Sequence, residues 1–562
     1  MKSETGRGAI ETPVLIIGGG PVGLALANEL GWRGVDYLLA DQGDGTVAFP
    51  ASENVFSRTM EHLRRWGCAD RARYQSAYPE DRKRNLIFST SIFGRALVSL
   101  PGDSNADAKG SNAFSPEGPI FCPKMSFDPI LLASARSHPA GTIRHHLRMT
   151  SFTQSADKVE AQLVDTSTGE EIDVVARYMV ACDGAHGLVR QQLDIAYRGT
   201  FGQGYNFAVF FRSAQLDDRL VAHYGAPVVQ LHTINVPGKP YLTTVNGRDL
   251  WRLSIYVAPG ETPDPQDLLS NVLGSVEDCD ILKAQPWTGH RVVAERYSEG
   301  RIFLAGDSAH LRWPKGGFGA NTGIGDAVDI GWKLAAVVEG WGGQGLLDSY
   351  EAERRPIAVR NVNEASNNRA FDSLILPDPE LDGEGDAADA ARARQVNQLF
   401  LYRIREYLTD GIQLGYRYKG SPICTPDGDL EPPDDHMQYV PSTWAGSRAP
   451  HAWLQPGRSV LDLFGRGFVL LRFDRGADTG SLVRAAESAG VPLEIVDLAD
   501  RDIETLYERK LVLVRPDGHV AWRDDIPPEN AAALIARVTG RRTVPCIHCS
   551  EHVNQQQASE AL

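Results

Sequence analysis

The chain has 562 residues, enough for two to four domains with ample cores. Its 57 Lys and Arg against 72 Asp and Glu give a net charge of −15, which argues against nucleic acid or an anionic membrane as a partner. No apolar run is long enough to span a bilayer, no secretory segment precedes Pro13, and the seven cysteines are mostly isolated. A reducing, cytoplasmic setting is expected.

The first predicted element is a buried strand, Pro13-Val14-Leu15-Ile16-Ile17, followed by Gly18-Gly19-Gly20-Pro21-Val22-Gly23 and an Ala/Leu helix through Leu30. A second strand, Val35 to Ala40, ends at Asp41. Strand, glycine turn, helix and strand with a terminal acid form the βαβ dinucleotide fingerprint in its full context. The first glycine makes the turn, the second admits a pyrophosphate, the third lets helix and strand pack, and Asp41 is placed for a ribose hydroxyl.

A helix is predicted from Arg58, with Gly67 as its stop. Residues 85–122 read as short strands and loops, with Ser104 to Gly118 small, polar and mobile; Phe127 to Ser137 reads as a helix. Residues 158–164 and 172–182 alternate like a hairpin whose second strand ends at Cys182-Asp183-Gly184, opening another helix. Residues 205–213, 228–236, 240–246 and 251–258 read as an inserted antiparallel sheet, a natural substrate wall.

The strand Arg301-Ile302-Phe303-Leu304-Ala305 leads into Gly306-Asp307 and then Trp313-Pro314-Lys315-Gly316-Gly317-Phe318-Gly319-Ala320-Asn321, with a helix predicted from about Gly325 to Val338. Glycines here let backbone approach a ligand closely, and the following helix aims free N–H groups at it. Such a place suits a planar ring that becomes anionic on reduction. Pro377 to Ala388 reads as an acidic surface loop. From Ala449 a small thioredoxin-like pattern begins: strand 468–473, helix 479–489, strands 493–496 and 511–514, and a last helix at 528–539. It has no Cys-x-x-Cys after its first strand. Cys546 and Cys549 lie in a polar tail, too sparse a ligand set for zinc, so no metal is expected. No cofactor motif falls beyond 449, so that region is expected to be dispensable for cofactor binding.

Together the three glycine/aspartate motifs resemble the p-hydroxybenzoate hydroxylase family of single-component FAD aromatic monooxygenases, over about Thr12 to Arg360. The C-terminal part is similar to the larger members, such as phenol hydroxylase and tetracenomycin-type polyketide hydroxylases. The resemblance implies an α/β fold: a Rossmann-like FAD-binding domain with an inserted antiparallel-sheet substrate domain, plus a C-terminal thioredoxin-like domain. The FAD-binding domain would take residues 1–82, 123–200 and 291–448, the substrate domain 83–122 and 201–290, the thioredoxin-like domain 449–545, and a tail 546–562.

It further implies FAD held by Gly18, Gly20, Pro21, Val22, Gly23 and Asp41 at the ADP end, by Asp183 and Gly184 at the pyrophosphate side, and by Gly306 and Asp307 at the ribityl chain. Pro314, Gly316, Gly317, Gly319, Ala320 and Asn321 would wrap the isoalloxazine, with backbone at Pro314 and Gly317 facing the reacting edge. NAD(P)H would visit transiently, O₂ would add at flavin C4a, and the distal peroxide oxygen would pass to a phenolic or polycyclic aromatic ring. Substrate candidates on the inserted sheet are Tyr205, His232, Tyr256, Trp287, His290 and Arg291. A flavin oxidoreductase or Baeyer–Villiger oxygenase and a non-catalytic FAD scaffold are the alternatives, and a homodimer is left open.

The sequence also departs from the family pattern. An arginine expected just after Pro50 is missing, Lys124 stands as a cofactor-binding residue where Gln or Arg is usual, Gly187 replaces Ser, and Lys315 follows Pro314.

Overall fold

The computed structural model describes residues 9–51 and 53–541. The Cys546/Cys549 pair lies outside the described residues. The core is a parallel sheet whose middle strand, Glu171–Ala181, pairs with Ile10–Ile17 on one side and Ile302–Leu304 on the other. Tyr37–Ala40 and Thr142–Arg144 extend it beyond Ile10–Ile17. These central runs are apolar and buried, Val14 to Ile17, Tyr37 to Ala40, Tyr178 to Ala181 and Ile302 to Leu304, as the middle of a covered parallel sheet requires. The hairpin Val159–Asp165 to Glu171–Ala181 forms as the alternation predicts.

Two helices lie against this sheet and against each other, Pro21–Arg33 and Phe318–Val338. The second starts seven residues before its predicted N-terminus. Gly317, in the left-handed region at φ 71°, is its N-cap, so the glycine turn leads straight into the helix. The next helix, Gln344–Leu374, runs 31 residues with Pro356 inside it.

The second sheet has eight strands in the order His310–Leu311, Cys279–Ala294, Tyr197–Ser213, Leu250–Val257, Tyr241–Thr244, Val228–Thr233, Asn85–Ser89, Ala96–Leu100. The 16-residue strand Cys279–Ala294 is absent from the sequence reading, since Lys283, Gln285 and Pro286 break its apolar pattern. One pairing, Val228–Thr233 with Asn85–Ser89, is parallel, so the sheet is mostly rather than wholly antiparallel.

Two stretches expected to be loose are packed. Within 104–118, Ser104, Asn105, Ser115 and Glu117 are buried, and Asn105 exchanges hydrogen bonds with Phe121 at 2.9 Å in both directions. In 377–388, Leu381 is buried, Asp382 accepts from Thr90 at 2.6 Å, and a helix starts at Asp386. Short polar residues read as loop formers here serve as backbone partners.

The C-terminal domain has a four-stranded sheet in the order Leu493–Asp497, Phe468–Arg472, Leu511–Val514, Val520–Asp524, flanked by helices that include Arg501–Tyr507, which the sequence reading lacks. This domain is not an appendage. Arg515 reaches into the body, where its guanidinium meets Glu353 at 2.6 and 2.9 Å, Asp329 at 3.2 Å and its own Asp517 at 2.7 Å. Lys333 completes the group, 2.6 Å from both Asp329 and Glu353. All five side chains are buried. Arg58, on the Ser57–Trp66 helix, donates to the Asp517 carbonyl at 2.7 Å. The region beyond 449 is thus tied into the body by buried charge, and removing it would strand those charges in the FAD-binding domain.

Arg515→Ala should cost about 3–5 kcal/mol, the range for breaking a buried ion pair from one side; the denaturant midpoint measures it, and an unchanged midpoint would contradict the assignment. The network holds three carboxylates against two cations. Burial raises the Asp329 carboxyl from 3.8 to about 7, with Glu353 and Asp517 adding repulsion that Lys333 and Arg515 oppose. The folded chain then keeps a proton that the unfolded chain releases, so this group's stabilising contribution falls as pH rises from about 4 to about 7. Asp329→Asn should flatten that slope in unfolding midpoints taken across the same range.

Candidate active site

The three glycine/aspartate motifs stand at one level. Ile17 is in register with Ala40 on one side and Ala181 on the other, and Ala181 is in register with Leu304. The chain therefore leaves four neighbouring strands along one edge, at Gly18, Asp41, Asp183 and Gly306. Ligands of open α/β sheets bind outside that carboxyl edge.

Close contact assembles this edge. A Cβ on Gly23 would overlap the Gly18 carbonyl, and one on Gly18, at φ 106°, would overlap the Cys182 carbonyl. Val22 fills the space under Gly306 and Gly323, where an added Cβ would sit 2.8 and 2.6 Å from Val22 Cγ2. Gly20 differs from these, with no atom within 4 Å of where its Cβ would be, and Gly184 is open in the same way. These are the gaps a pyrophosphate needs, and the helix at Pro21 points its N-terminus at the first of them.

Asp41 accepts from Gly19 N at 2.6 Å and Gly43 N at 2.8 Å, which fixes the adenosine-side loop while leaving lone pairs for a ribose. Lys124 is ion-paired to Asp128. Burial raises the Asp128 carboxyl to about 6; Lys124 opposes this and the charge of nearby Asp41 adds to it. Asp183 accepts from Ser308 Oγ at 2.8 Å and Val189 N at 3.1 Å, and Gly184 N donates to the same hydroxyl at 2.9 Å. The second and third motifs are thus joined through Ser308. Any Cβ at 187 would overlap the Asp183 carboxylate, which accounts for Gly187.

The Asp307 side chain is 60 % exposed at this edge, its one ionic partner, Arg312, at 3.6 Å. The third turn is held from beneath by Asp326, which accepts from Gly306 N at 3.1 Å, His310 Nε2 at 2.9 Å and Arg354 Nε at 2.8 Å. Arg312 Nη1 donates to His310 Nδ1 at 2.9 Å, so the His310 proton is assigned to Nε2. Asn321 braces the same turn: it accepts from Phe56 N at 3.0 Å and Thr59 Oγ1 at 2.7 Å, and donates to Asn54 O and Gly317 O. Sequence reasoning missed Asp326, Arg354 and Ser308.

The arginine absent after Pro50 has a counterpart from the other domain. Arg252, on Leu250–Val257, donates to Pro50 O at 3.0 Å and pairs with Glu53 at 2.5 Å.

Across the turn stands the second sheet. The Trp313 indole lies directly over Gly204 and Gly289, register partners on adjacent strands, where no Cβ would fit. Trp287 is tilted against it at 5.6 Å and Tyr256 is edge-on at 6.4 Å. Tyr256 Oη donates to Asp372 at 2.6 Å. His232 is stacked between Phe88 and Tyr241, with Nε2 2.9 Å from Tyr407 Oη. Burial first, then the charges of Arg403 and Lys315, hold the His232 pKa well below the usual imidazole range, so the ring is neutral. Tyr256 and Trp287 thus share one wall with Trp313, and His232 lines the adjoining small cavity with Tyr256 and Lys315. Tyr205 instead packs near Gly202. His290 accepts from Gly202 N at 3.2 Å, and Arg291 is engaged with Asn363 at 2.8 and 2.9 Å, both toward the outer end of the sheet. Among the described residues no cluster of His, Cys, Asp or Glu suits a metal.

Residues 11–365 match the FAD binding domain family, and residues 442–541 the C-terminal domain of aromatic-ring hydroxylases. The chain belongs to the FAD-dependent aromatic-ring hydroxylases. Tetracenomycin B2 monooxygenase-dioxygenase of Streptomyces olivaceus is 32% identical, with 95% of this chain and 98% of that protein covered. The structure of RebC with bound 7-carboxy-K252c is 37% identical, covers 95% of this chain and all of that one, and superposes with a TM-score of 0.89. The complex of aklavinone-11 hydroxylase with FAD and aklavinone is 29% identical, with a TM-score of 0.80 and the same coverage. The enzyme's cofactor is FAD, and the two open glycines, the exposed Asp307 carboxylate and the aligned strand ends fit it.

Gly20→Val should leave the fold intact but abolish FAD retention, because its side chain enters only the open gap; urea unfolding and flavin content separate the two effects. Asp307→Ala should weaken FAD binding roughly ten- to hundredfold, the worth of a hydrogen bond to a charged acceptor. Titration of FAD as tight as wild type would make Asp307 structural.

Proposed function

We propose that this enzyme hydroxylates a polycyclic phenolic substrate, with NAD(P)H as transient electron donor and O₂ as oxygen source. The observation that carries this reading is the aromatic cluster of Tyr256, Trp287 and Trp313, which packs with Phe318 at the start of the helix that follows the Pro314–Gly317 turn. Three large rings on one side of a flavin-binding turn favour a flat, electron-rich partner, through offset and edge contacts. When bound, FAD supplies the redox and oxygen chemistry.

The chain's own residues supply position and charge. Gly306, Asp307 and the turn after Pro314 would hold the flavin, and Gly316 N is itself fixed by Glu406 at 3.1 Å. The helix beginning at Phe318 has its N-terminus at this turn, where its dipole would favour negative charge on a bound flavin. Neutral His232 and the Tyr256–Asp372 pair are the acid–base groups beside the aromatic wall. Burial works to raise the Asp372 carboxyl, but Arg403, Lys315, the Tyr256 hydroxyl and Lys239 hold it well below the usual range. Asp372 therefore stays ionised and accepts a hydrogen bond from the Tyr256 hydroxyl, orienting that phenol. With one dinucleotide fold and no second, the nicotinamide has no domain of its own among the described residues. Hydride transfer then needs the flavin accessible, while oxygen transfer needs water excluded.

A panel of mono- to tetracyclic phenols tests the proposal: NAD(P)H oxidation should accelerate with the preferred ring, and the product should gain the mass of one oxygen. NAD(P)H oxidation indifferent to every arene, with no oxygenated product, would sink it. Trp287→Ala should raise the Kd of a tetracyclic phenol roughly two- to tenfold, since one aromatic contact is worth about 0.5–1.5 kcal/mol.

A further inference from the structure

One face of the Gln344–Leu374 helix meets the substrate sheet with a polar residue every third position. Asn363 engages Arg291, Ser366 donates to Gln203 at 3.3 Å, and Asp372 accepts from Tyr256. Arg369 is the exception on this face. Its guanidinium lies 4.1 Å from the Tyr256 ring centroid and 5.3 Å from that of Trp313. It makes no ion pair or hydrogen bond with any described residue, and its Nε is buried without a partner. Ring faces attract a cation but leave its N–H donors unused.

The surroundings carry the same imbalance. Lys315 lies 3.4 Å from Asp372 and 3.8 Å from Glu406, and Arg403 pairs with the same two carboxylates. Lys239 finds only the carbonyls of Asp372 and Ile375, at 2.7 and 2.6 Å. Four cations thus face two carboxylates, so two positive charges lack a counter-ion. The pKa of Lys239 is lowered, first by burial and then, against the pull of Asp372, by repulsion from Arg403, Arg369 and Lys315. The adjoining small cavity is lined by Lys239, Tyr256, Lys315, Asp372 and Arg403, so this surplus charge borders open space. A negatively charged substituent on a ring held at the aromatic wall would meet this surplus positive charge.

We propose that the substrate carries a carboxylate, and that Arg369 is the specificity residue that receives it beside Tyr256 and Trp313. This rests on the reading of the aromatic wall as the substrate site. Arg369 Nε and Nη donate to the carboxylate oxygens in a planar, two-pronged contact, while its face stays on the rings. A neutral ring would leave the buried Nε donor unpaired, so the site discriminates against it.

Binding to the FAD-loaded enzyme tests the proposal without turnover. The probes are a hydroxynaphthoic acid, the matching hydroxynaphthamide and naphthol, with flavin absorbance and tryptophan fluorescence as readouts. The acid should bind wild type about ten- to hundredfold more tightly than the amide. In Arg369→Met that advantage should vanish while the amide's Kd stays within about twofold, and Arg369→Lys should restore only part of it. Equal binding of acid and amide by wild type would overturn the proposal, as would a loss in Arg369→Met shared equally by acid, amide and naphthol. A preference for naphthol ionised at high pH over the acid would assign Arg369 to a phenolate and also overturn it. Failure of the aromatic-wall reading looks different: none of the three probes would then perturb the flavin or tryptophan signals at all.

Discussion

A fully buried carboxylate, Asp326, holds the centre of this enzyme together. It is reached by the amide of Gly306, the imidazole of His310 and the guanidinium of Arg354 at once, and so ties the third motif's turn to both long helices. Its carboxyl is kept below the usual range despite complete burial, which works against ionisation, because Arg354 and His310 compensate. An unpaired charge at this depth would cost several kcal/mol. The exposed Asp307 keeps its place because its neighbour's amide is held from within. The cofactor-facing aspartate is visible in the motif; the aspartate that positions it lies 19 residues later, on a helix, and has no local signature.

The Arg515 network extends the same logic to the C-terminal domain. Arg354 belongs to the Asp326 cluster and Glu353, one residue earlier, to the Arg515 cluster. Successive residues of one helix therefore carry the flavin turn and the thioredoxin-like domain. That domain carries no Cys-x-x-Cys after its first strand, and its hairpin arginine serves as a structural counter-ion. Membership of the aromatic-ring hydroxylases thus brings together two regions that the sequence reading treated as independent.

What was legible in the sequence follows from range. The βαβ fingerprint, the Asp183-Gly184 strand end and the Gly306-Asp307 turn are local patterns with local causes, and all three lie on the expected edge. The Asn321 side chain, expected at the ring, braces the turn through Asn54, Phe56 and Thr59. The strand Cys279–Ala294 escaped because its polar positions face an irregular partner with register shifts rather than a clean alternation. The guanidinium near Pro50 escaped because it comes from Arg252, some 200 residues on, and no spacing rule links the two positions. Trp313 enters the sequence reading only as one residue of the stretch to Asn321, with no role of its own, yet it is among the largest fully buried side chains of the described residues.

The paired glycines under that indole have a wider meaning. Gly204 and Gly289 sit opposite each other on neighbouring strands and together form a recess one ring thick. A Cβ at either position would meet the indole at 2.6 or 2.5 Å, so a single methyl group on this strand pair would push Trp313 off the sheet. The seat of the largest ring beside the flavin-binding turn is thus set by two residues that lie outside every cofactor motif.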